Sequence, residues 1–75
     1  MPILTGIVTD MNGNAVSGAM LSLNSYWMNT SMDGSFSMEI PPGQYILRCI
    51  KQGYQTYESR TTVQNDTSIR ITLMD

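Results

Sequence analysis

The sequence predicts an all-β fold, a sandwich of seven short strands. Apolar and polar residues alternate over short runs, the period of a half-buried strand. Turn-forming residues (Gly, Pro, Asn, Asp) interrupt these runs at roughly ten-residue spacing, which is typical of sandwiches. No window sustains helical spacing over about three turns.

The first run, Ile3 to Thr9, places Leu4, Gly6 and Val8 inward and Ile3 and Ile7 outward. It ends in "DMNGN", where Asn12-Gly13 suits the positive φ angles of a tight turn and predicts a reversal. The second run, Ala19 to Tyr26, is entered at Gly18 and sets Ala19, Leu21 and Leu23 against Met20, Ser22 and Asn24. A short run around Met28 to Ser31 reaches Asp33-Gly34, which predicts a hairpin with Ser35 to Ile40 and an inner face of Phe36, Met38 and Ile40. Neither proline of Pro41-Pro42-Gly43 can donate to a ladder, so the chain is expected to turn there and form a central hairpin with Gln44 to Lys51. Tyr45, Leu47 and Cys49 are its inner residues. Thr56 to Val63 follows Gly53, and the turn "QNDT" leads to Ser68 to Leu73, with Ile69, Ile71 and Leu73 inward.

The chain has 75 residues, enough for one domain and one core. Hydrophobic residues make up 41% and charged ones 13%, too apolar and too weakly charged for disorder. The net charge is −2, and the four bases, Arg48, Lys51, Arg60 and Arg70, are scattered, which argues against nucleic acid or an anionic membrane as partner. No apolar run approaches the ~20 residues of a spanning helix. A single cysteine, Cys49, permits no internal disulfide. The N-terminus has neither a basic segment nor a long apolar one, so synthesis in the cytoplasm without a signal peptide is expected.

Catalysis is not expected. The chain has no histidine, which removes the commonest general base and metal ligand, and no cofactor is expected. Cys49 lies at an inward strand position and reads as a small buried hydrophobe. Asp10, Asn12 and Asn14 resemble the start of a calcium loop, but the sixth position is Ala15 and the twelfth Leu21, where such a loop needs glycine and a bidentate acid. "DMNGN" is therefore read as a turn.

"GIVTDMNGNAVSGAMLSL", "DGSFSMEIPPGQYIL" and Gly53-Tyr54 together resemble carboxypeptidase-regulatory-like domains, with their Gly-x-Val-x-Asp strand, Asn-Gly turn, Asp-Gly-x-Phe, Pro-Pro-Gly-x-Tyr and Gly-Tyr signatures. The resemblance covers nearly the whole chain and implies a seven-stranded, transthyretin-like β-sandwich with Greek-key connections. One departure is Ala15, where the family often has proline. Hydrolases of that fold that open a purine-derived ring rely on histidines this chain lacks. More narrowly, "FSMEIPPGQY" is similar to the N-terminal domain of phage side tail fibres. That likeness implies a virion-associated component or adaptor, with tail or baseplate proteins as partners.

Two sets of residues are candidates for an interface. Ile7, Ile46 and Ile50 face outward where a solvated sheet would carry polar side chains, which predicts docking or self-association into a homo-oligomer. Tyr26, Trp27, Tyr54 and Tyr57 could form a loop-end contact patch for a protein or a platform for a carbohydrate. The expected function is a non-catalytic structural or protein-interaction module. The alternatives are a carbohydrate-binding module and a regulatory accessory domain of a larger enzyme.

Overall fold

The computed structural model describes every residue, Met1–Asp75. Seven strands follow in chain order: β1 (Ile3–Thr9), β2 (Met20–Leu23), β3 (Tyr26–Asn29), β4 (Ser35–Glu39), β5 (Gly43–Ile50), β6 (Tyr57–Val63) and β7 (Thr67–Thr72). They form a three-stranded sheet, β4-β1-β7, and a four-stranded sheet, β3-β2-β5-β6. The chain is thus the all-β sandwich that its alternation predicts. Every pairing is antiparallel except that of β1 with β7.

The core lies between the sheets and is built from the inward residues of the pattern. Leu4, Val8, Leu21, Leu23, Leu47 and Cys49 are all buried, and Val16, Ala19, Ile40 and Leu73 close it from the connections. At the centre of β1, Gly6 is register partner to both Phe36 and Ile69. A methyl group at Gly6 would lie 2.5 Å from Phe36 Cζ and 2.6 Å from the Ile69 carbonyl oxygen, so the absence of a side chain here lets the Phe36 ring sit against the strand.

Local polar contacts fix the turns. The Asp10 carboxylate accepts from the Asn12 and Asn14 amides at 2.8 and 2.9 Å, so the run that resembled a calcium loop satisfies itself as a turn, with Gly13 at φ 85°. Thr30, the one buried polar side chain, donates to the Val16 carbonyl and accepts from the Ala19 amide.

Three expectations need correction. The second run does not reach Tyr26: it stops at Leu23 and reverses at Asn24-Ser25, with Asn24 in the left-handed region at φ 56°. The Asn24 side chain donates to the Gln44 carbonyl and accepts from the Ile46 amide, tying this turn to β5. Second, Asp33-Gly34 forms a turn, but the strands on either side lie in different sheets. The Val8 amide donates to the Gly34 carbonyl and draws β4 onto β1, while β3 is already paired with β2. Third, Pro41-Pro42 carries the chain from one sheet to the other, so β4 and β5 are no hairpin. The Ile40 amide donates to the Pro2 carbonyl on one side of this crossing, and the Tyr45 hydroxyl donates to the Pro41 carbonyl on the other.

Candidate functional site

The sheet registers decide which outward residues share a surface. On the outer face of the four-stranded sheet, Trp27 sits beside Ser22, Ser22 beside Arg48, and Arg48 beside Glu58. Met20 sits beside Ile50, and Ile46 beside Arg60. Four apolar side chains are therefore displayed together, with Trp27 66% exposed, Ile46 44%, Ile50 42% and Met20 40%.

Between the two isoleucines, Arg48 Nε meets Glu58 Oε2 at 2.7 Å. Both side chains are half exposed, so the pair contributes at most about 1 kcal/mol, and it leaves the centre of the face with no net charge. Arg60 is exposed and has no ion-pair partner. An open depression beside it is lined by Asn24, Gln44, Ile46 and Thr62.

The other candidates lie elsewhere. Ile7 is half-buried on the outer face of the opposite sheet, between Ser35 and Arg70, so no single face carries Ile7, Ile46 and Ile50. Tyr26 turns inward at the β3 edge, and its ring meets that of Tyr45 edge-on at a centroid distance of 6.3 Å. Tyr54 and Tyr57 pack against the core, and Tyr57, on β6, is at the opposite edge of the sheet from Tyr26. The four aromatics form no common platform, because alternation turns Trp27 out and Tyr26 in. Met20 was missed as a site residue. Its outward position was legible, but its place beside Ile50 depends on the β2–β5 pairing.

Cys49 is fully buried, and desolvation pushes its thiol up to about 11, so it stays protonated and unreactive near neutral pH. No cluster of three or more Cys, Asp or Glu side chains is placed to hold a metal ion.

Comparison with known proteins defines the class. The chain belongs to the carboxypeptidase regulatory-like domain family, whose model matches residues 3–74. No curated protein matches it in sequence. Among solved structures it is similar to a cohesin–X-dockerin complex from Acetivibrio cellulolyticus, with a TM-score of 0.83 and 16% identity over 97% of this chain and 57% of that one. It is also similar to a DUF3823 family protein from Bacteroides ovatus, with a TM-score of 0.80 and 23% identity over 97% of this chain and 43% of that one. A third similarity is to 3-chlorocatechol 1,2-dioxygenase from Rhodococcus opacus, with a TM-score of 0.76 and 14% identity over 96% of this chain and 58% of that one. The chain spans about half the length of these structures, and at such identities the likeness is one of fold.

Proposed function

We propose that the domain is a non-catalytic interaction module that docks a protein partner through the outer face of its four-stranded sheet. The observation that carries this reading is the shared exposure of Trp27, Met20, Ile46 and Ile50 on that one face. A solvated sheet face normally presents polar side chains, whereas here the Arg48–Glu58 pair stands between Ile46 and the Met20–Ile50 pair, and large apolar side chains set among polar ones on one face mark a contact surface. The unpaired Arg60 beside Ile46 suits a partner that places a carboxylate at the rim of an apolar patch.

Membership of a regulatory-like family and the absence of histidine both support a role without chemistry. The similarity to a cohesin–X-dockerin complex shows the same sandwich within a protein–protein assembly. A carbohydrate platform is the weaker reading, because Trp27 stands on the face without Tyr26, Tyr54 or Tyr57. Placement in a tailed-phage or injection-type assembly rests on the run Phe36 to Tyr45. Phe36, Ile40 and Tyr45 are buried there and serve the fold, so the likeness speaks for lineage.

The test uses two matched baits, the parent chain and the Ile46→Thr/Ile50→Thr variant, which keeps β-branching. Partners captured by the parent are purified and their affinities measured with both chains. Removing apolar area worth ~1 kcal/mol at each site should weaken binding by about tenfold or more. Equal affinity for both chains would sink the reading.

A further inference from the structure

The sandwich has four sheet edges: β3 and β6 on the four-stranded sheet, β4 and β7 on the other. An exposed edge presents unpaired N–H and C=O groups that template another strand, and natural domains blunt such edges with charge, proline or bulges. β6 carries Glu58 and Arg60, β7 carries Arg70, and β4 carries Glu39, with its Ser35 amide already bonded to Asp33 Oδ1. β3 has none of these protections. Its sequence is Tyr-Trp-Met-Asn, uncharged and mostly apolar, yet it is the one strand of the fold with no buried residue.

The ladder shows which backbone groups are free. The Thr30 amide donates to the Ala19 carbonyl, and in this antiparallel register the groups of Met28 and Tyr26 likewise face Leu21 and Leu23. The N–H and C=O of Trp27 and Asn29 therefore point away from β2, where the sheet has no further strand.

We propose that two copies of the chain pair edge to edge through β3, antiparallel about a two-fold axis at Met28, so that their four-stranded sheets become one. A two-fold at Met28 sets Trp27 of one copy opposite Asn29 of the other, and each exchanges both backbone bonds with its counterpart. The free groups of one copy meet those of the other with no charged residue on either strand to oppose the contact. The Trp27 side chain gains cover from Asn29 of the second copy on the outer face. On the inner side, the half-buried Met28 side chains meet across the axis, where the flexible thioether adapts to a close non-hydrogen-bonded pair. The inference rests on reading the domain as a protein-interaction module, but it uses the sheet edge and not the isoleucine face, so the two can fail separately.

The experiment follows mass by sedimentation and light scattering from about 10 μM to about 1 mM, the range of weak interfaces. The parent should pass from monomer to dimer, with the Trp27 and Asn29 amides exchanging at least tenfold more slowly at the upper concentration. Asn29→Pro removes an N–H that points away from β2, so it should keep the fold and stay monomeric throughout. Trp27→Lys, which places charge on the edge, should weaken dimerisation at least tenfold and decides the matter if the proline variant does not fold. The Ile46→Thr/Ile50→Thr chain should still dimerise. A parent that is monomeric throughout overturns the pairing and leaves the edge to an extended segment of another protein. A dimer that survives both β3 variants, or that only the isoleucine variant abolishes, overturns it as well.

Discussion

Gly6→Ala sets local propensity against packing. Gly6 lies within β1 without a positive φ, so backbone entropy alone predicts that alanine would stabilise the strand by ~0.5–1 kcal/mol. The structure predicts the opposite sign. The new methyl would lie 2.6 Å from the Ile69 carbonyl, a backbone atom held in the β1–β7 ladder, and 2.5 Å from Cζ of the buried Phe36 ring. Neither can retreat without disturbing the pairing or the core, and overpacking of this kind typically costs ~1–3 kcal/mol. The net expectation is a loss of about 2 kcal/mol from a domain whose total stability is of order 5–10 kcal/mol. With a urea slope near 1 kcal/mol/M, the unfolding midpoint should fall by about 2 M. Adding Phe36→Leu relieves the ring contact but leaves the carbonyl one, so the double variant should be at least ~0.5 kcal/mol more stable than the sum of the single effects predicts. A Gly6→Ala midpoint equal to or above the parent's would refute the reasoning.

Two further predictions concern the core and the β2–β3 turn. Burial raises the Cys49 thiol from 9.0 to about 11, so the folded state holds this proton more tightly than the unfolded chain does. The associated stability is fully present below pH 9.0 and is lost as pH rises through about 11. Burial and the neighbouring Tyr26 raise the Tyr45 hydroxyl in the same sense. Urea midpoints should therefore fall across that window, and less steeply in Cys49→Ala; parallel pH curves for the two chains would contradict this. Asn24→Ala loses both side-chain bonds to β5 and strains a positive φ, at a cost of about 1–2 kcal/mol. Asn24→Gly loses the bonds alone and should cost less, so parental urea midpoints for both variants would show that the clamp contributes nothing.

The tests on the outer face and on the β3 edge depend on information the sequence holds only in part. Alternation along a strand is local, because successive side chains must point to opposite faces. For that reason Leu4 and Val8, Leu21 and Leu23, and Tyr45, Leu47 and Cys49 were legible as inner residues, and all are buried. The self-satisfied Asp10 turn and the family signatures are local too. The pairing of strands is not local. Nothing between Asp33 and Ile40 says that this run will pair with β1, and that ladder, flanked by the bond from the Val8 amide to the Gly34 carbonyl, places β4 in the other sheet and not in the expected hairpin. The same kind of choice separated Ile7 from Ile46 and Ile50 and brought Met20 beside Ile50. The sequence alone determined how many strands there are, which residues of β1, β2 and β5 face inward, and that Ile46 and Ile50 face outward. The tertiary structure alone decided which outward residues share a face and which edge is left open, because register and sheet order are set by backbone bonds between residues far apart in the chain.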